Sequence, residues 1–305
     1  MSDWLHLDVD GLRFAALQAG DPEAPLVLCL HGFPDTPHTW QALLPQLAAQ
    51  GYYALAPALR GYPPSAAAPD GDYSVPRLGR DVLGLLDALG RHDAAVIGHD
   101  WGAVAGYCAA NIAPARLRAL VAAAVPHPRL LRPHPRQLRN SWYMARFQFP
   151  DAERRLAAND WALVEQLWRD WSPDWRFTPA DIAPVKAALA AEGPEAALAY
   201  YRALPRTLLR PPPGALRTVF ARTRVPTRMV AGAQDGCMRA AGFAHGERAF
   251  SGPWDLITLD AAGHFMHREQ PAAFAAAVTE WLGLHAPPAR PDLSLIHISE
   301  PTRPY

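Results

Sequence analysis

A chain of 305 residues, of which 50% are hydrophobic and 19% charged, has room for one large domain with an insertion and is too apolar for extensive disorder. Its 29 basic residues balance 29 acidic ones, which argues against nucleic acid or an anionic membrane as the main partner. Cys29, Cys108 and Cys237 have no CxxC spacing and read as buried free thiols in a reducing compartment. Lys186 is the only lysine, a bias that accompanies the abundant alanine and proline of a GC-rich genome and carries no functional signal.

Residues 1–14 lack a basic region followed by an apolar run, so no signal peptide is expected, and no stretch approaches the ~18 apolar residues of a membrane span. A cytoplasmic location follows as the default. Alternation of apolar and polar residues over 3–19, around Asp10-Gly11, predicts a hairpin. Short apolar runs at 26–30, 52–56, 94–97 and 120–125 predict buried parallel strands. Helical periods occupy about 39–49, 76–89 and 102–112 between them. This βαβα rhythm implies a doubly wound, mostly parallel sheet.

After Pro126 the rhythm breaks. Residues 127–222 hold helix-like stretches, many aromatics and repeated prolines but no convincing strand. Strand patterns resume at 227–231 and 255–259, and a helix closes the run at about 271–282. The expected organisation is a core of 1–126 and 223–292 with a helical lid, 127–222, inserted after the sixth strand. Such a lid would cover the C-terminal ends of the strands, where open α/β sheets bind their ligands. Residues 293–305 read differently: they match the in-frame translation of a transposase-type sequencing adapter. Isoleucine occurs four times before residue 293 and then twice within three residues, at Ile296 and Ile298. They are expected not to be native.

The chemistry concentrates at strand ends. Gly98-His-Asp-Trp-Gly102 joins a strand to a helix and has the form of a nucleophile elbow, with Asp100 at the tip between two small residues. A carboxylate attacking a carbonyl would give a reactive anhydride, whereas attack on an sp³ carbon bearing a leaving group gives a stable alkyl ester. The blander reading of Asp100 is a turn residue capping the helix. Backbone N–H groups of Phe33, in His31-Gly-Phe-Pro34, and of Trp101 are candidates for an oxyanion hole, with both side chains lining the pocket and His31 bracing the loop. Asp235 follows the strand at 227–231, and His264, in Gly263-His-Phe265, follows the strand at 255–259. The chain order Asp100, Asp235, His264 fits nucleophile, acid and base. Phe265 is a further pocket candidate. His99 and His267 are read as packing residues, and Asp255 and Asp260 rank below Asp235 because they fall at strand positions.

The strings HGFPD, RGY (60–62), GHDWGA, SWYMARFQFPD, ALAYYR and GHFMHREQP together resemble the soluble epoxide hydrolases of the α/β-hydrolase fold, from about residue 12 to 283. The resemblance implies that fold and hydrolysis of an ether bond in a hydrophobic epoxide, giving a vicinal diol. The implied route is an ester on Asp100 that water activated by His264 cleaves. It also implies that two lid tyrosines, Tyr143 and Tyr201, hold the epoxide oxygen, with Tyr200 as the neighbour that a shift of helix register would substitute. A ring-opened alkoxide needs a proton that a phenol can supply; a departing halide needs none. No metal and no cofactor are implied, and the partners are a small molecule and water. The sequence sets no oligomeric state.

Several strings are shared with haloalkane dehalogenases, which makes halide displacement the alternative. Trp101 would then supply one halide donor; the Asn that often supplies the second has Phe33 in its place, and the lid offers Trp142, Trp161, Trp168, Trp171 and Trp175 as other donors. Haloacid dehalogenation would want Arg after the nucleophile, where this chain has Trp101. A non-catalytic binding module on the same fold is the third reading, and it would require a broken triad.

Overall fold

The computed structural model describes residues 4–288; the 293–305 segment lies outside them. The sheet is built from β1 (Leu5–Val9), β2 (Leu12–Ala19), β3 (Leu26–Leu30), β4 (Tyr53–Pro57), β5 (Ala94–His99), β6 (Leu117–Ala123), β7 (Thr227–Gly232) and β8 (Trp254–Leu259). Their order is β1-β2-β4-β3-β5-β6-β7-β8. β2 runs antiparallel to both β1 and β4, and the remaining pairs are parallel. Asp10 and Gly11 both take positive φ (50° and 79°), the conformation a two-residue turn needs to match the twist of its strands.

Alternation along β3 explains how the sheet makes two cores. Leu26, Leu28 and Leu30 join one cluster, with Leu78, Val82 and Leu85 of helix α2 (Val75–Ala88). Val27 and Cys29 point the other way, into a second cluster with Leu44 and Leu47 of α1 (Leu44–Ala49). The three central strands β3, β4 and β5 are buried along their whole length, the condition under which parallel strands read as unbroken apolar runs. Helix α3 (Trp101–Ile112) packs on the same side as α2.

Several boundaries differ from the sequence expectation, three of them for reasons visible in the fold. The helical stretch at 39–49 is a 3₁₀ turn at Pro37–Trp40 followed by α1, and β4 lies one residue later than expected. β6 starts at Leu117 because Leu117 pairs with Ala94, and it stops at Ala123 because Ala124 turns to a φ of 67°. Apolar side chains at 124–125 disguised that turn as strand.

Between β6 and β7 the chain runs through α4 (Pro135–Asn140), α5 (Trp142–Arg146), α6 (Ala152–Trp171), α7 (Pro179–Glu192), α8 (Glu195–Leu209) and α9 (Ala215–Val219). α6 is broken by non-helical backbone at residues 158–161. After β8 come the short α10 (Met266–Glu269) and α11 (Pro271–His285), whose Phe274, Val278 and Trp281 complete the second cluster. Among the described residues no helix is long and apolar enough to cross a membrane.

Candidate active site

Register brings the loops together. Pairing of Leu30 with Gly98 sets the turn after β3 beside the turn after β5, and the ends of β7 and β8 lie in the same row. All four turns leave the C-terminal ends of parallel strands.

At the elbow Asp100 adopts φ 52° and ψ −115°, a region that side-chain-bearing residues rarely occupy. The turn closes because its neighbours lack Cβ atoms. One on Gly98 would stand 2.3 Å from the Gly102 carbonyl oxygen, and one on Gly102 only 2.2 Å from that of Leu30. Gly32, which the sequence reading passed over, matters equally: a Cβ there would come within 2.4 Å of the Asp100 Cβ.

The carboxylate of Asp100 is buried with 6% exposure. Its Oδ1 accepts the Phe33 N–H at 2.9 Å, and its Oδ2 lies 3.7 Å from Nε2 of His264. The Trp101 N–H is the first amide of α3, a position with no intrahelical acceptor. On the far side of the imidazole, Nδ1–H of His264 donates to Asp235 Oδ2 at 2.9 Å, which fixes Nε2 toward Asp100. Asp235 is itself held by the Cys237 and Met238 N–H groups, which donate to its Oδ1 at 2.7 and 2.8 Å.

Charge follows from this chain of contacts. Burial opposes the charged form of His264, yet the carboxylates of Asp235 and Asp100 outweigh it and raise its pKa to about 10. Burial likewise works against ionised Asp100, and the facing His264 and the Phe33 N–H bring its pKa below the usual carboxylate value. At neutral pH the pair is therefore imidazolium and carboxylate.

Helices α5 and α8 of the insertion bring aromatic rings onto Phe33 and Trp101, the residues that flank the carboxylate. Tyr201 on α8 packs edge-on against Phe33 and Trp101, each 5.2 Å between centroids, and against Tyr143 at 5.6 Å. Phe147 closes the group at 5.1 Å from Tyr201. The Tyr201 hydroxyl is buried and makes no hydrogen bond of good geometry among the described residues. Tyr143 on α5 has its hydroxyl 3.3 Å from Cys237 Sγ. Burial, together with nearby Cys237 for Tyr143 and Asp100 for Tyr201, pushes both phenols well above pKa 10, so both keep their protons. Tyr200 is oriented elsewhere: its hydroxyl donates to the Arg60 carbonyl at 2.8 Å. Arg60 in turn is locked to buried Asp81 through Nε and Nη2, at 2.5 and 2.6 Å.

Phe265 is not part of this ring group. Its side chain is fully buried against Trp168, Trp175 and His99, at 4.8, 5.6 and 5.4 Å, and props the base loop from behind. The reason is local: His264 and Phe265 are successive residues in a tight turn, and their rings stand nearly perpendicular at 85°. Three residues clamp the same turn, none of which the sequence patterns assigned to that task. The Trp171 carbonyl accepts the His264 N–H at 3.0 Å, Ser172 Oγ accepts the Phe265 N–H at 3.1 Å and donates to Glu269 Oε1 at 2.6 Å, and Glu269 Oε2 accepts the Gly263 N–H at 2.8 Å. Trp171 and Ser172 are remote in sequence, and Glu269, though inside the string GHFMHREQP, carries no local sign of its two hydrogen bonds.

His31 braces its loop through both ring nitrogens: Nδ1–H donates to the Gly32 carbonyl at 2.9 Å, and Nε2 accepts the Leu59 N–H at 3.0 Å. His99 Nε2–H donates to the His264 carbonyl at 2.9 Å. Asp255 pairs with Arg228 at 2.7 Å, away from the base. Two buried groups have donor atoms close enough to invite a metal: Asp35 with His99 and His267, and Asp235 with Cys237 and His264. The rings of His99 and His267 lie 4.4 Å apart, closer than two imidazoles bound to one ion by bonds of about 2.1 Å would stand. In the second group Asp235 already accepts three hydrogen bonds. Neither donor set fits an ion as it stands.

A family model described as "Alpha/beta hydrolase family" matches residues 27–277. The chain belongs to the alpha/beta hydrolase family. This hydrolase is 31% identical to the AB hydrolase superfamily protein YfhM of Bacillus subtilis, over 90% of this chain and 96% of that protein. It is 30% identical to Epoxide hydrolase A of Mycobacterium tuberculosis, over the same 90% and 96%. Among solved structures it is similar to Epoxide Hydrolase A from Mycobacterium thermoresistibile, with a TM-score of 0.75 at 28% identity, covering 92% of this chain and 98% of that one. An epoxide hydrolase from Bacillus megaterium shares the fold, with a TM-score of 0.80 at 23% identity over 92% and 100% of the two chains. The resemblance noted in the motifs thus extends over the hydrolase core and the helical insertion together.

Proposed function

We propose that this hydrolase opens a hydrophobic epoxide to a vicinal diol through an ester on Asp100. The observation that carries the reading is a buried carboxylate at a strained elbow, 3.7 Å from Nε2 of His264, with Tyr201 packed on the Phe33 and Trp101 rings beside it and on Tyr143. The names of the Mycobacterium relatives point the same way.

In the first step Asp100 Oδ2 attacks a ring carbon. The C–O bond breaks, its electron pair stays on the epoxide oxygen, and that oxygen takes a proton from a lid tyrosine. Oδ1 remains against the Phe33 N–H throughout. Esterification removes the charge of Asp100, one of the two carboxylates that hold His264 protonated, so the pKa of the imidazole falls just when a base is needed. As it falls, His264 gives its proton to the tyrosinate left by ring opening, and neutral Nε2 then takes a proton from water attacking the Asp100 Cγ. The tetrahedral oxyanion rests on the Phe33 and Trp101 N–H groups; its collapse breaks the ester C–O bond, the leaving alkoxide takes the proton from His264 as the diol departs, and the Asp100 carboxylic acid returns its proton to Nε2. Asp235 keeps the imidazole tautomer. Residues 127–222 act as the lid; with Asp100 only 6% exposed, the ring group of Phe33, Trp101, Tyr143, Phe147 and Tyr201 has to part to admit substrate.

Incubation with a styrene-type epoxide and, separately, a bromoalkane tests the reaction class. Diol from the first and no bromide from the second is the expected result; bromide without diol overturns it. A single turnover in ¹⁸O-water with excess enzyme should leave the new diol hydroxyl unlabelled, because its oxygen comes from Asp100. His264→Gln should let the ester accumulate, visible as added substrate mass on the peptide containing Asp100.

A further inference from the structure

The loop after β7 does more than supply Asp235. Two residues on, Cys237 is 2% exposed and sets its Sγ 3.3 Å from the hydroxyl of Tyr143, itself 4% exposed. The loop and the lid are tied at two more points through Gln137 of α4. Its amide donates to the Cys237 carbonyl at 2.9 Å, and its side-chain oxygen accepts the Arg239 N–H at 3.2 Å. Tyr143 therefore sits on a segment anchored to the loop that orients the base, with a thiol as the last contact. Tyr201, across the same ring group, has no such anchor for its hydroxyl among the described residues.

We propose that Cys237 is a positioning residue that acts through Tyr143, so that the two lid phenols have unequal tasks. Tyr201 meets the epoxide oxygen with its hydroxyl free. Tyr143 is held in place by a thiol, a weak partner that fixes the direction of the phenol without competing strongly for its proton. This rests on the epoxide reading above. A thiol beside an electrophilic substrate is tolerable in this place because the thiolate is the reactive form, and burial together with Asp235 disfavours it.

The alternative is that the Cys237 side chain works through its neighbour Asp235, or merely fills space. The two steps of the reaction separate these. With a rapidly hydrolysed aryl epoxide in single turnover, Cys237→Ala should slow ester formation about tenfold, the scale of one lost hydrogen bond, and leave ester hydrolysis unchanged. Cys237→Ser, which keeps a hydrogen-bonding group, should stay within about twofold of the parent rate. In a Tyr143→Phe background Cys237→Ala should add nothing, whereas in a Tyr201→Phe background its full effect should remain. Slower ester hydrolysis, or an undiminished effect in Tyr143→Phe, overturns the proposal. A second readout needs no turnover: in protein labelled with [¹³Cζ]tyrosine, the Tyr143 signal, assigned by its loss in Tyr143→Phe, should move in Cys237→Ala while the Tyr201 signal stays. An unmoved Tyr143 signal refutes the contact even if epoxides prove not to be the substrate, whereas a moved signal in a protein inert to epoxides refutes only the reading of the reaction.

Discussion

The elbow and the helical insertion proposed as its lid build the candidate site by opposite means. Asp100 is placed by backbone: a strand of fixed register, a left-handed turn and three glycines whose missing Cβ atoms let β3, the turn and α3 touch. The phenols Tyr143 and Tyr201 are placed by side chains: ring contacts of 4.9 to 5.6 Å and a single contact to a thiol. Backbone closure is rigid and intolerant of added atoms, whereas edge-on ring packing yields to a rotamer change. A nucleophile has to be held still, and a cover has to part, so the division suits the chemistry proposed.

The sharpest way to break the comparison is to empty the elbow. Asp100→Ala should lower diol formation by about 10⁴-fold or more while the thermal unfolding profile stays close to the parent, since the lost ion pair with His264 is offset by removal of a buried carboxylate that burial disfavours. A variant that kept appreciable activity would show the carboxylate to be dispensable. Next in size is the backbone itself. Gly102→Ala drives a methyl to 2.2 Å from the Leu30 carbonyl oxygen, and a destabilisation of about 3 kcal/mol in urea unfolding is expected. A loss below about 0.5 kcal/mol would mean that the elbow relaxes as easily as the lid.

The His264 ion pair sharpens the comparison through pH. Its pKa is raised from 6.5 to about 10 in the folded protein, so the stability it contributes is complete below pH 6.5 and is lost as pH rises through about 10. The Tm advantage of the parent over His264→Gln should therefore shrink between pH 6.5 and 10. In Asp100→Asn the histidine ring-proton titration of His264 should move downward from that value. An advantage independent of pH would sink the assignment of charge.

The smallest effect separates two adjacent side chains. Tyr201→Phe removes a buried hydroxyl with no partner among the described residues and should raise stability by about 1 kcal/mol even as it slows ring opening. Tyr200→Phe deletes the hydrogen bond to the Arg60 carbonyl and should lower stability by a similar amount, with little effect on ring opening. Equal and same-signed changes in Tm would erase the distinction between the framework tyrosine and the one at the site.

By itself the chain determined whatever depends on local pattern. Continuous apolar runs marked buried parallel strands, the loss of that rhythm after Pro126 marked a helical insertion, and Gly98-His-Asp-Trp-Gly102 marked the elbow, because a turn that tight admits few residues. It could also order Asp100, Asp235 and His264 along the chain, since each follows a strand. Only the tertiary structure decided which way side chains face and what distant residues lend. Phe265 turned to the back of the His264 turn, Tyr200 to Arg60, Trp171 and Ser172 reached the candidate site from about ninety residues away, and nearby Gly32, Cys237 and Glu269 took contacts that their place in the sequence did not announce. The physical reason is that a strand end or a turn is written in neighbouring residues, whereas the direction of a ring and the partner of a buried hydroxyl are settled by packing across the whole fold.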